Sequence, residues 1–404
     1  MFYTHGDIMR QRERTNLGQY AFLIILSTIF AEQYFNVISV PIETYTVVSL
    51  FVFIFCNKMS TMQYFIMLIP FANAMHIKQI AVFYFITTIA KSKCYRFRRS
   101  AIFSYLIILA LQLIATFRCN DSLSTLVYLA AVLGCVLLWA HDFYDYKACH
   151  RLLRSYVYSF AVMSTFMIAL TLKLAPIDKV LNGVVRLGED LYLGQSAFST
   201  GANGLGMMCL FNAAVVFVLL SRQEIKKKNA IPLLVLFVVT GFMTQSRAFL
   251  LGCAFLTLYM VLCCTKNIIH RIKGILGIFT IVCVAIFIIN KVAPNILQHF
   301  SQRFEVEDIT NNRTDIMVEF FRNLFNDPVS LVLGAGLHRY SSVLGDNLEG
   351  MSSHNATQEV WLAWGIIGLI SVVVFFISII RASHLCGIVQ VMNALCLELT
   401  LFTL

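Results

Sequence analysis

The residues best equipped for chemistry in this chain are the cations Arg186, Arg247, Arg303, Arg313, Arg322 and Arg339 and the imidazoles of His76, His299, His338 and His354, all set apart from the main basic clusters. A guanidinium fork binds phosphate oxygens in pairs and stays charged beside lipid, where a lysine could lose its proton. An imidazole, with a pKa near 6.5, serves as a base at neutral pH. Together they suit a reaction in which an anionic group leaves and a hydroxyl proton is taken up. Glu32, Glu43, Glu189, Asp190, Glu305 and Asp308 are the rival bases. The sequence has no Asp-x-Asp pair, no Cys-x-x-Cys, no P-loop and no Gly-x-Ser-x-Gly elbow, so metal-independent chemistry without a cofactor is expected.

The elements that must position these groups are membrane helices. Of 404 residues, 59% are hydrophobic and only 13% charged, with mean hydropathy +0.77, far more apolar surface than one water-soluble core encloses. Apolar runs long enough to cross a hydrocarbon layer of about 30 Å recur along the chain and do not alternate as barrel strands would. The expectation is therefore an all-α polytopic bundle of about 12 to 13 spans. The spans fall near Gly18–Phe35, Thr44–Cys56, Met62–Met75, Gln79–Ala90, Ala101–Phe117, Leu123–Ala140, Ser155–Ala175, Asn203–Ser221, Ile231–Thr244, Ala248–Cys264, Gly274–Asn290, Val360–Ile380 and from His384 onward. This divides the chain into transmembrane helices over 1–290, one large loop over 291–359 and further transmembrane helices over 360–404. No removable signal peptide is expected at the N-terminus.

With the N-terminus in the cytoplasm, alternation places Arg10, Arg12, Arg14, the clusters at 91–99, 147–154, 222–228 and 266–273, and Arg381 on the cytoplasmic side. About 20 of the 31 Lys and Arg then lie inside, which accounts for most of the net charge of +10 without nucleic acid as a partner. The 291–359 loop faces outward and holds none of the 12 cysteines, so they read as small apolar helix residues rather than disulfides. Only Glu32 and Lys173 are borderline ionisable residues within spans, which disfavours an ion-coupled carrier.

Within the loop, Ile316, Met317, Phe320, Phe321, Leu324 and Phe325 recur at helical spacing opposite Asp315, Glu319 and Arg322. An amphipathic helix is expected there, introduced by Asn311-Asn312 and stopped at Asp327-Pro328. Taken alone, such a stripe most often packs over the bundle. Gly334-Ala335-Gly336 and His338-Arg339-Tyr340 follow, then Ser352-Ser353-His354-Asn355 at the mouth of the next span.

Thr244-Gln245-Ser246-Arg247-Ala248 between two short spans, Asn312-Arg313 opening the loop helix, Pro328, Gly334-x-Gly336, and His354-Asn355 running into Trp364-Gly365-Ile366-Ile367-Gly368-Leu369 resemble the bacterial O-antigen polymerase and ligase superfamily. Asn203-Gly204-Leu205-Gly206 matches its pattern as well, and the similarity covers roughly Gln195–Ile380. The resemblance implies a membrane-embedded glycosyltransferase of the GT-C type in the cytoplasmic membrane, acting on an undecaprenyl-diphosphate-linked oligosaccharide in lipopolysaccharide or other polysaccharide biosynthesis. It implies His354 and Arg247 as catalytic residues, and Arg313, Arg186, Arg303, Arg339, Asn203 and Asn355 as substrate-binding ones. The function expected is a polymerase that transfers one lipid-linked glycan onto another lipid-linked repeat unit with inversion. A ligase acting on lipid A core is the alternative, and a lipid-linked oligosaccharide flippase or a non-catalytic scaffold are further ones. Membrane lipid and a chain-length regulator protein are the other partners implied.

Overall fold

A computed structural model describes residues 5–75, 77–91, 97–142, 146–176, 185–188, 201–264, 313–345 and 355–382, with isolated positions at 179 and between 273 and 291. We label its α-helices α1 (His5–Phe30), α2 (Ile42–Phe55), α3 (Lys58–Leu68), α4 (Ile77–Lys91), α5 (Arg99–Arg118), α6 (Leu123–Asp142) and α7 (Tyr146–Leu174). Next come α8 (Ala202–Ser221), α9 (Lys227–Met243) and α10 (Arg247–Cys264). The loop carries α11 (Arg313–Asn326), α12 (Pro328–Leu333) and α13 (Tyr340–Leu344), and α14 is Ala356–Ala382. No strand occurs among the described residues, and the all-α architecture expected from the apolar runs is the one observed.

Four of the described helical stretches, Arg99–Arg118, Cys149–Leu174, Ala202–Ser221 and Thr357–Ile379, are long and apolar enough to cross a membrane; Ile42–Phe55, Leu123–Trp139 and Arg247–Leu258 are apolar but shorter. The expected spans at Gly274–Asn290 and beyond His384 lie almost wholly outside the described residues. The helices are apolar on their outer faces too: Leu23, Ile24, Phe51, Phe103, Leu251, Phe255 and Ile370 are all exposed. A helix that is hydrophobic all round needs lipid rather than water as its solvent.

Inside the bundle, α3 packs on α1 and α7, α4 on α2 and α6, α8 on α7, α9 and α10, and α14 lies along α5. One aromatic cluster locks the first group. Phe65 stacks on Tyr84 at 4.2 Å between ring centroids, and the Trp139 indole N–H donates to the Tyr84 hydroxyl at 2.8 Å. Lipid tails are as apolar as leucine, so such shape and hydrogen-bond complementarity, not water exclusion, holds the helices together.

The two ends of the bundle differ in charge. At one end, Lys91 donates to the carbonyls of Phe53 and Cys56, Arg98 donates to the Arg381 carbonyl at 2.8 Å, and His150 lies 3.3 Å from Glu224. These contacts gather basic clusters remote in sequence at a single end. At the other end, Glu32 sits in a π-turn (Ala31–Phe35) closing α1 and accepts from the Tyr45 hydroxyl at 2.9 Å. Lys173 donates to the Tyr34 carbonyl, with its ammonium 4.8 Å from that ring's centroid. Both borderline charges are thus at helix ends, bonded to protein, not in the middle of a span.

Two expected spans are interrupted. The run Met62–Met75 is α helix only to Leu68, then changes to short 3-10 turns at Ile69–Phe71 and Asn73–Met75, because Pro70 has no N–H to continue the ladder. The helix expected over Val360–Ile380 starts earlier, at Ala356, and is broken at Gly365, whose φ of 65° and ψ of −171° lie outside the helical region.

Candidate functional site

At the end away from the basic clusters, two groups of polar residues are assembled. The first is built on the turn from α9 to α10. Thr244 continues the helical backbone, Gln245 turns it over at φ 52°, and Ser246 caps α10 by accepting from the Phe249 N–H at 3.3 Å. The turn is buried, and its polar atoms are satisfied locally, with the Thr244 hydroxyl donating to the Gly241 carbonyl at 2.6 Å. Residues 185–188 dock onto it: the Leu187 N–H donates to the Met243 carbonyl at 3.0 Å, and Arg186 Nε donates to the Thr244 carbonyl at 3.1 Å.

The start of α8 packs on the same turn. At Gly206 a Cβ would come within 3.0 Å of Ser246 Cβ and Thr244 Oγ1 and 3.1 Å of Phe249 Cβ, so α8 and α10 approach closely here and a larger residue would press on the turn. The N-termini of α8 and α10 are therefore neighbours. Each helix start carries a partial positive charge and unpaired N–H groups, and carboxylates usually neutralise such positions. Here neither first turn has an acidic residue, and α10 instead begins with half-buried Arg247, three residues after the Thr244 whose carbonyl Arg186 holds. Exposed Asn203 lies in the first turn of α8. Two neighbouring helix starts, neither with an acidic residue in its first turn, and the two arginines beside them are the kind of arrangement that suits an anion.

The second group joins the loop to the bundle. Of the apolar α11 stripe, Phe320 and Leu324 are fully buried and pack with Ala335, Tyr340, Leu344 and Leu362, Ile316, Met317 and Phe321 are half-buried, and Phe325, expected in the same stripe, is exposed at the helix end, while Asp315 and Arg322 face out. Asp327 then caps α12, accepting from the Val329 and Ser330 N–H groups, and Pro328 stands where no N–H is needed. Next, the Gly334–Gly336 strand-like segment pairs with the broken part of α14: Ala335 N–H donates to the Leu362 carbonyl at 2.8 Å and Gly336 N–H to the Ala363 carbonyl at 2.9 Å. The break at Gly365 frees these carbonyls, and the loop satisfies them. Gly334, with φ 79°, and Gly365 face each other so closely that a Cβ on either would overlap the other segment's backbone.

Arg118, at the end of α5, clamps this junction through Ser330 Oγ at 2.9 Å and the Gly334 carbonyl. Buried Asp121 accepts from Gln112 Nε2 at 2.8 Å and from the His338 N–H at 3.2 Å, and the Gln112 amide oxygen accepts from the Trp364 indole at 2.8 Å. Arg339 Nε donates to the Cys119 carbonyl at 3.3 Å. Desolvation lowers the pKa of the His338 imidazole, and nearby Lys78 lowers it further against an opposing pull from Asp121, which favours the neutral ring.

Of the residues expected to act, Arg186, Arg247 and Asn203 share the first group, and Arg339 belongs to the second. Arg313 is the first residue of α11. Asn355 precedes α14 and caps it, its side-chain oxygen accepting from the Gln358 N–H at 3.1 Å. His354 and Arg303 lie outside the described residues. Sequence reasoning missed Arg118, Asp121 and Lys78. The charge asymmetry that singles out the outer arginines could have found Arg118 and Lys78, which lie at the same cation-poor end.

Comparison with known families bears directly on the turn, loop helix and broken helix described above. Residues 232–373 match the family model described as O-antigen ligase. The match supports the resemblance to the O-antigen polymerase and ligase superfamily that the motifs carry. It runs from α9 through the α9–α10 turn and the loop into α14, so it contains Arg247, Arg339 and the Gly365 break. Arg186, Asn203, Arg118 and Asp121 precede it and join the family region through tertiary contacts. No curated protein and no solved structure matches the chain. Among the described residues no group of three or more His, Cys, Asp or Glu is placed to hold a metal ion.

Proposed function

We propose that the protein is a polysaccharide polymerase of the cytoplasmic membrane, of GT-C type, that transfers a glycan from undecaprenyl diphosphate to a hydroxyl of another lipid-linked repeat unit. The observation that carries this reading is the pair of helix starts with Arg186 and Arg247 and no carboxylate in either first turn. Such a site suits the diphosphate of a lipid-linked donor, which lies at the depth where helices end. The O-antigen ligase family match supports glycosyl transfer from a lipid carrier as the chemistry.

In the proposed reaction the acceptor hydroxyl attacks the anomeric carbon from the face opposite the diphosphate. The new C–O bond forms as the bond to the diphosphate breaks, the leaving group takes the electron pair, and His354 takes the hydroxyl proton. Arg186 and Arg247 hold the charge that grows on the leaving diphosphate, with Arg313, Arg303 and Arg339 available to the glycan or its phosphates. No step requires a metal ion. The proposed orientation puts the N-terminus and the gathered basic clusters in the cytoplasm and the 313–345 loop outside. A chain-length regulator remains a proposed partner.

Purified protein supplied with a lipid-linked repeat unit tests the reading. A ladder of polymers formed without lipid A core supports a polymerase. Product only when core is supplied identifies a ligase. Absence of product in both cases overturns glycosyl transfer. The orientation is checked in a cysteine-free background, where Ser352→Cys should react with an impermeant thiol reagent in spheroplasts and Lys227→Cys only after permeabilisation.

A further inference from the structure

Polymerisation joins two lipid-linked glycans, so the reading above needs seats for two lipid diphosphates, and the paired starts of α8 and α10 offer one. A second lies elsewhere on the bundle. Helix α6 packs against both α4 and α5, and between those two walls it forms the floor of an open apolar groove of about 460 Å³. Val82, Phe85 and Ile86 of α4, Leu113 of α5, and Leu126 and Ala130 of α6 line it. Gly134 lets the Phe85 ring settle against α6, since a Cβ there would collide with it, and the Tyr105 hydroxyl donates to the Ala130 carbonyl at 3.0 Å, tying α5 to the groove floor.

The loop-side end of this groove is cationic. Lys78 is one turn before Val82 on α4, and its ammonium lies 5.8 Å from the ring centroid of Tyr128, on α6 beside the groove. Among the described residues Lys78 has no ion pair and no hydrogen bond. Lys78 is close enough to His338 to act on its charge. The imidazole likewise has no hydrogen-bond partner among the described residues, although the His338 N–H is held by Asp121. Arg339 is anchored to the Cys119 carbonyl through Nε alone, at the end of the helix that forms one wall. The nearby carboxylate, Asp121, is buried and already accepts from Gln112 Nε2, the Ser122 N–H and the His338 N–H. An apolar, lipid-facing channel that leads at one end to Lys78, His338 and Arg339 matches a molecule with a long hydrocarbon chain and a strongly anionic head.

We propose that the α4–α5–α6 groove seats the polyprenyl chain of a second lipid diphosphate, with Lys78 and Arg339 on its diphosphate. This inference rests on the polymerase reading and deepens it. The lipid at the starts of α8 and α10 loses its glycan, whereas the lipid in the groove keeps its own diphosphate ester and presents the acceptor hydroxyl. No bond to phosphorus or to the anomeric carbon is broken in the groove.

The test uses the full chain in phosphatidylcholine nanodiscs and a polyprenyl diphosphate with a photoreactive diazirine on its prenyl chain. Cross-linked peptides are mapped by mass spectrometry. Labelling is expected both near α10 and on the 123–142 peptide, and unlabelled polyprenyl diphosphate should compete at both places while the uncharged polyprenol does not. Lys78→Gln should weaken labelling of the groove about tenfold or more, the usual size of a lost charged contact, and leave α10 labelling unchanged. Ala130→Trp, which fills the groove, should do the same. Retained α10 labelling shows that each variant is folded, and if one is not, the other decides. Polyprenol competing as well as the diphosphate, or Lys78→Gln labelling like the parent, would mean that the groove holds only annular lipid and would overturn the inference. Labelling confined to α10 would also overturn it while leaving the polymerase reading intact. No labelling at either place would sink both.

Discussion

The junction between the Gly334–Gly336 segment and the break in α14 makes a quantitative prediction for Gly365→Ala. An L residue held at φ 65° and ψ −171°, a region essentially confined to glycine, costs about 2 kcal/mol. The added Cβ would also overlap the Val332 carbonyl, a backbone atom that cannot rotate away, so the loop must move off the helix. Separation breaks the Ala335 and Gly336 N–H bonds to Leu362 and Ala363, each contributing about 1 kcal/mol net. A total of about 3 to 4 kcal/mol corresponds to an opening equilibrium raised by about 10² to 10³. Ala335 is fully buried at this junction, so its replacement by cysteine, after all 12 native cysteines are removed, reports opening through the rate of maleimide labelling. Gly365→Ala should accelerate labelling by about 10² to 10³. The control Gly18→Ala, whose Cβ would make an ordinary contact at 3.6 Å with Tyr64, should leave it unchanged. A Gly365→Ala rate within threefold of the parent would show that the pairing does not hold the loop.

Three further outcomes test the site. Arg247→Lys and Arg313→Lys should each lose most polymer while the protein still accumulates in the membrane, because charge is kept and the fork is lost; normal polymer from both would remove these residues from the site. His354→Ala should lower the transfer rate by about 10² to 10⁴, and His354→Gln should fail equally because an amide cannot take up the proton; near-normal activity of the glutamine variant would assign the base to a carboxylate. For pH, the folded pKa of His338 lies below its unfolded value, so its contribution to loop closure is complete above pH 6.5 and is lost as pH falls through the folded pKa. Labelling of Ala335→Cys, corrected for thiolate fraction, should therefore rise as pH drops below 6.5, and His338→Gln should abolish that rise; an unchanged pH profile in the variant would assign the titration elsewhere.

The sequence by itself determined that this is a bundle of membrane helices, because the length and polarity of an apolar run are local and lipid imposes the helix on any such run. The α11 helix and its stop at Asp327-Pro328 were legible too, since periodicity, capping and the missing proline N–H act within a few residues. The motif order around Thr244–Ala248 and Gly334–Gly336 carried the family. Tertiary structure alone decided the rest. The break at Gly365 is hidden in an unbroken apolar run and persists because a loop about 30 residues earlier satisfies the freed carbonyls. The pairing of α8 with the α9–α10 turn depends on the missing Cβ of Gly206, which sequence shows only as one glycine among 20. Arg118 and Asp121 act on residues more than 200 positions away, and only packing of α5 along α14 brings them there. The anion site proposed at α8–α10 rests on two helix starts lying side by side, a property of neither segment alone, so only the fold could reveal it.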